Sequence, residues 1–344
     1  MARNTPDTTG EAVEPDATAK KADAALSGRT RLALGAMQGL GLGGFYVIVL
    51  IYFSIYAAPY FFSTSNAVNI LSNISVIGIV TLGQALVLIA GGFDLSVAGT
   101  VPLGGVIFTM LLNRGVNIPE AWIISVLAGC GVGVANGLII TRIGINALVT
   151  TLGTLSITSG LAYVVTAGET VQFKDLNQGP IDNVVAGMPL YVWTMILISI
   201  IAFFVLRFTV YGRMIYAIGG NREASRLAGI RVDLITTSVY AISGGLGCFS
   251  GVMLAQQLLA GAPTVGATAA LTSIAAVILG GASLSGGVGG IPGTLVGVLV
   301  LGTIANGMAL MQVPSFYQQI ATGAILLLAV GFGRLRVAFG QLAS

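Results

Sequence analysis

From Leu234 to Gly333 the chain runs for a hundred residues without one Asp, Glu, Lys, Arg or His. A soluble domain cannot be built from such a stretch, because its surface would have no charged groups to face water. It must be solvated by lipid or by other parts of the same protein. The remainder agrees: 55% of the 344 residues are apolar, 8% are charged, and mean hydropathy is +0.94. These features predict an all-α, polytopic integral membrane protein.

Taking about 20 apolar residues per crossing, spans fall near 43–62, 70–90, 95–112, 121–141, 147–166, 190–206, 234–256, 268–282, 293–312 and 317–333. That is about ten transmembrane helices. The third and eighth are short and interrupted by Pro102 and by Gly286 and Gly287, so broken or re-entrant helices are expected there. Residues 1–40 read as a disordered polar tail, 41–335 as the transmembrane domain, and 336–344 as a short C-terminal tail. With both termini in the cytoplasm, 13 of the 15 Lys and Arg residues lie inside, leaving Arg114 and Lys174 outside. This split obeys the positive-inside rule. Gly129, Gly133 and Gly137, and again Gly289, Gly293 and Gly297, recur every fourth residue and read as smooth packing stripes.

Several function classes drop out. With no His and only Cys130 and Cys248, both in apolar runs, no nitrogen or sulfur metal site is expected. No cofactor and no nucleic-acid partner are expected either. There is no G-x-x-x-x-G-K-[ST] string, so the chain does not hydrolyse ATP by itself. The spans offer no His, Lys or Glu as a positioned base, which excludes an enzyme.

Against this background stands a basic island. Arg207–Arg231, at the heart of a cytoplasmic loop over 207–233, holds five of the fifteen Lys and Arg residues. Within it Asn221, Arg222, Glu223, Ala224, Ser225, Arg226, Leu227, Gly229 and Ile230 spell a short surface helix. Asn221 is the N-cap and Gly229 the stop. Ala224, Leu227 and Ala228 share one face; Arg222 and Arg226 share another. Two turns of helix are unstable alone, so the segment is held by packing on its own domain or in a groove of a partner. The competing reading is a basic loop that anchors topology and touches membrane lipid.

The string "GRMIYAIGGNREASRLAGIRV", with "GGFDLSVAG" at Gly91–Gly99 and "AAVILGGASLSGGVGGIPGTLVGVLVLGTIANGM" at Ala275–Met308, resembles the ribose, xylose and arabinose type of ABC importer permease. The likeness covers about residues 70–335 in matching order. It implies an ABC importer permease-type fold in a bacterial inner membrane, and a second permease subunit, commonly an identical copy. It also implies a cytoplasmic ABC ATPase subunit docked on the basic helix and an extracytoplasmic sugar-binding protein. Branched-chain amino-acid permeases share the broader fold.

Asp94 is the only charged residue between Arg31 and Arg114. It reads as an N-cap opening the next helix; the competing reading is a gate, a proton site or an acceptor for a sugar hydroxyl. A path for a neutral polyol needs hydroxyl-bonding groups without fixed charge. The candidates are Gln84, Asp94, Ser96, Asn136, Asn146, Gln256, Gln257, Asn306, Tyr317, Gln318 and Gln319, each of which also fits an interhelical hydrogen bond. The alternative class is an ion-coupled secondary transporter of a small neutral solute. Proton coupling is disfavoured because Asp94 alone could titrate within the spans.

Overall fold

The computed structural model describes residues 42–175, 184–325 and 327–328. The tails assigned to 1–40 and 336–344, and the end of the tenth span, lie outside the described residues. The chain forms helices at Leu42–Tyr56 (α1), Thr64–Ile89 (α2), Val97–Asn113 (α3), Ile118–Leu138 (α4), Ala147–Thr166 (α5) and Leu190–Phe208 (α6). There follow Val210–Gly220 (α7), Arg222–Leu227 (α8), Val232–Leu258 (α9), Ala269–Leu279 (α10), Ile291–Leu310 (α11) and 315–325 (α12). A π-helical turn extends α4 to Ile143.

Among the described residues, six helices are long and apolar enough to cross a membrane: α2, α4 with its extension, α5, α6, α9 and α11. The third and eighth expected spans, α3 and α10, are indeed among the shorter apolar helices. So is α1, expected to reach residue 62 but stopping at Tyr56. Pro59 explains the stop, since it lacks an amide donor and disfavours helical backbone at Ala58. Pro102 does not break α3, which continues through it to Asn113. Being near the helix start it sacrifices a single backbone bond, and its ring crowds only the first turn. Gly286 and Gly287 lie beyond α10, in the loop to α11, at φ of +83° and +73°.

The centre is made by α2 and α9. Each has 67% of its span buried, against 28% for α4 and 22% for α5 and α6. They run antiparallel: Ser250 Oγ donates to the Val76 carbonyl at 2.7 Å, and Gly83 lies against the Ser243 backbone. What puts α9 there is its buried run of Ser243, Gly244, Gly245, Gly247, Ser250 and Gly251, which lets neighbouring backbones come close. The α4 stripe does the same from the other side. A Cβ at Gly129, Gly133 or Gly137 would strike the backbone of Gly244, Tyr240 or Thr237. Of the second stripe, Gly293 and Gly297 press on Gly280 and Ala276, while Gly289 precedes α11.

Among the described residues, four two-residue strands depart from an all-helical reading. Val171–Gln172 (β1) pairs antiparallel with Ala260–Gly261 (β4), and Val184–Val185 (β2) with Met188–Pro189 (β3). They stitch the connections at one end of the bundle, beside the start of α6 and the end of α9. At the opposite end α7 meets the loops after α2 and α10, and α8 follows it.

Candidate functional site

The basic helix folds as its residues dictate. Asn221 Oδ1 accepts the Ala224 amide at 2.9 Å, capping α8, and Gly229 at φ +81° turns the chain out of it. Ser225 faces inward, buried, with its hydroxyl donating to the Asn221 carbonyl at 2.8 Å. Glu223 in the first turn and Arg226 in the last complement the helix dipole. Arg222 and Arg226 do share a face, and both turn to one carboxylate: Asp233 Oδ1 lies 3.6 Å from Arg222 Nη2 and 3.4 Å from Arg226 Nη2. Exposed pairs of this kind contribute no more than about 1 kcal/mol, but they occupy the two guanidinium groups within the chain. The apolar face does not pack on its own domain. Ala224 and Ala228 are exposed and Leu227 is 82% exposed.

Immediately before this helix lies a three-way backbone junction. A Cβ at Gly219 would overlap the carbonyl oxygen of Ile89 and stand 2.5 Å from the Gly287 nitrogen. The Gly287 amide donates to that same Ile89 carbonyl at 2.9 Å, and a Cβ on Gly286 would come 2.6 Å from Gly91 Cα. Thus α7, the end of α2 and the α10–α11 loop touch through bare backbone. Tyr216 adds a strut by donating to the Gly289 carbonyl at 2.9 Å. Tyr211 hydrogen-bonds Ser238 on α9 at 2.7 Å. Burial pushes both phenols above their ordinary range, opposed by the Ser238 bond at Tyr211 and by the Arg207 charge at Tyr216. Each therefore remains a neutral hydrogen-bonding group.

From the junction the chain leads directly into a buried polar network. Asp94 is not the N-cap of α3; that position falls to Ser96, whose side chain makes no capping bond. Asp94 Oδ1 instead accepts the Ser96 amide at 3.0 Å and the Ser96 hydroxyl, and Oδ2 accepts Ser243 Oγ from α9 at 2.7 Å. Asn136 of α4 donates to Ser96 Oγ at 2.9 Å, and Tyr240 donates to the Phe93 carbonyl at 3.1 Å. Asp94 closes an Asx turn onto the Ser96 amide instead of capping the helix. Asp94, Ser96 and Asn136 are thereby brought together, joined by Ser243 and Tyr240, which carry no signal in an apolar, Ser- and Gly-rich sequence.

The other candidates scatter. Asn146 caps α5 by accepting the Leu148 amide at 2.8 Å. Asn306 donates to Asn66 Oδ1 at 2.9 Å. Gln318 bonds the Val313 carbonyl at 3.2 Å, beside exposed Tyr317 and Gln319. Gln84 is completely buried with neither amide atom partnered. Gln256 and Gln257 line a cavity of about 390 Å³ with Asn69, Ser72, Asn73 and Tyr191. Asn69 and Asn73, one turn apart in an apolar run, were the readable sign of it. A second cavity of about 310 Å³ lies between α3, α5 and the 263–267 loop, and no sequence candidate lines it.

Residues 66–330 match the family model described as branched-chain amino acid transport system / permease component. The chain belongs to this permease family. Among curated relatives, the L-arabinose ABC transporter permease protein AraH of Azospirillum brasilense is 36% identical over 333 residues, covering 95% of this chain and 97% of the relative. The ribose import permease protein RbsC of Bacillus subtilis (strain 168) is 36% identical over 309 residues, 88% of this chain and 95% of the relative. RbsC of Escherichia coli (strain K12) is also 36% identical, over 83% of this chain and 90% of the relative. No solved structure matches. The permease is thus a multi-pass membrane transport subunit, and ATP hydrolysis belongs to a separate subunit.

Proposed function

We propose that the permease forms the membrane path of a bacterial inner-membrane importer for a monosaccharide or related polyol. A cytoplasmic ATPase seats on Asn221–Ile230, and an extracytoplasmic binding protein delivers the solute. Two copies of the chain make up the path, each crossing about ten times with both termini in the cytoplasm; α1, α3, α10 and α12 are the shorter crossings. Membrane lipid covers the apolar outer faces of α4, α5 and α6.

One observation carries the docking assignment. Leu227 is 82% exposed on a capped helix, and the preceding helix is wedged by Gly219 against the end of α2 and the α10–α11 loop. An apolar tip held on so stiff a mount fits a partner's groove, and any push on it is delivered to the loops that end at Asp94. A charged solute is disfavoured, because Asp94 is the only charged side chain buried among the described residues and its oxygens are occupied. The relatives named for arabinose and ribose support the sugar class.

The test is cross-linking from Leu227→Cys, in membranes, to cysteines placed in the groove of the co-expressed ATPase. Cross-links that form and shift with bound ATP support the assignment. None from Leu227→Cys despite a stable complex would remove it.

A further inference from the structure

The cavity beside Gln256 lies at the end of the bundle away from α8, bordered by the beginning of α2, the beginning of α6 and the end of α9 and open on one side. We infer that it is a binding site for a neutral polyhydroxylated molecule, lying within one copy of the chain. This rests on the permease reading for the class of solute and deepens it by naming where that solute is met first.

Three observations carry the inference. The first is chemistry: six lining side chains, Asn69, Ser72, Asn73, Tyr191, Gln256 and Gln257, present amides and hydroxyls, and none of the lining residues is charged. Amides donate and accept at once, as do sugar hydroxyls, so the two sets can satisfy each other. An ion would find no counter-charge and would lose its hydration without compensation. The Tyr191 ring and Met253 add the apolar surface that the C–H face of a sugar requires.

The second is an unpaired atom. Gln256 is only 5% exposed, and its Oε1 is buried with no hydrogen-bond partner. Turned toward the cavity, this acceptor would take a hydrogen bond from a hydroxyl donor bound there, in place of the partner it lacks. Asn69, Asn73 and Gln257 are exposed at the mouth and commit no side-chain hydrogen bond to any described residue, so their amides are available to a solute.

The third is size and position. A volume of about 390 Å³ lies within the range of small-molecule sites, about 300–1,000 Å³. Its wall at Ser72 and Asn73 belongs to α2, whose face at 100° per residue carries on from Asn73 to Gln84, about three turns deeper. The cavity therefore opens at the head of α2, one of the two central helices, with Asn69, Asn73 and Gln257 exposed at its mouth.

The test uses the full chain in nanodiscs, with Cys130→Ala to silence the half-exposed native thiol and Ser72→Cys as reporter. Gln257→Cys serves as a second reporter should the first not fold. Maleimide labelling is timed with D-ribose, L-arabinose or xylitol present, against glutamate and cyclohexanol. Slower labelling with at least one polyol and not with the two controls is expected, and adding Gln256→Met should raise the half-protecting concentration about tenfold, the worth of one hydrogen bond. Labelling indifferent to all three polyols, or slowed equally by cyclohexanol, overturns the site. If such a chain still imports sugar with its ATPase, the cavity inference alone fails. Protection without ATP-driven uptake leaves the cavity standing and removes the permease reading.

Discussion

Ser243 donates its hydroxyl to Asp94 Oδ2 at 2.7 Å, joining the middle of α9 to the loop between α2 and α3 across 149 residues of sequence. Both residues are buried. The bond makes Asp94 a brace between the central helices and the loop that α7 touches, and several consequences can be measured.

Ser243→Ala leaves one carboxylate oxygen without its donor and should cost about 1–3 kcal/mol. Asp94→Asn keeps the shape but offers one acceptor oxygen where three donors converge, so it should fold, melt earlier and retain transport. Thermal melting in detergent beside uptake checks both. Complete loss of uptake by Asp94→Asn at normal membrane levels would mean that the carboxylate acts on the solute itself.

Gly219→Ala drives a methyl group into the Ile89 carbonyl, whereas a Cβ at Gly220 meets nothing within 4 Å. The first should cost about 1–3 kcal/mol or more through overpacking and should uncouple hydrolysis from uptake. The second should behave as wild type apart from a small helix-propensity gain. Equal effects of the two would remove the junction from the coupling route.

Leu227→Glu should leave the melting temperature unchanged and weaken ATPase binding about tenfold or more, as loss of an apolar anchor does. Arg222→Glu with Arg226→Glu is a less clean experiment, since it also sets two new carboxylates against Asp233. Pull-down of the ATPase from nanodiscs distinguishes them. Unchanged affinity in Leu227→Glu would send the docking site elsewhere.

Gln84→Leu removes two unpaired buried amide atoms at similar volume, so it should raise stability by about 1–3 kcal/mol. If Gln84 lies on the solute's route, uptake falls as stability rises. A lower melting temperature would show that the amide has a partner in the membrane.

Most of the helical spans were legible because about 20 apolar residues per crossing leaves little freedom, and α8 because Asn221 and Gly229 are local signals. Its orientation followed only in part: Arg222 and Arg226 share a face, but that face turns to Asp233, a residue outside the periodic segment. Asp94 shows the opposite limit. Its charge marked the position, yet its partner Ser243 is one of many small residues in a run where Ser and Gly serve packing equally. The junction of Gly91, Gly219 and Gly286 joins segments far apart in sequence, and no local pattern encodes such a meeting. Asn146, Asn306 and Gln318 stay apart from the other path candidates for a related reason: each satisfies a neighbouring group, and composition cannot tell such residues from those facing a cavity.

On the function proposed above, this chain is a path moved by a partner's ATP. Its most direct test is uptake of radiolabelled D-ribose and L-arabinose into liposomes containing the purified permease, its ATPase and its binding protein, with each component and ATP withheld in turn. Accumulation of at least one sugar only when all are present, and its loss in Leu227→Glu, is the predicted result. Accumulation by the permease alone on a proton or sodium gradient would contradict it.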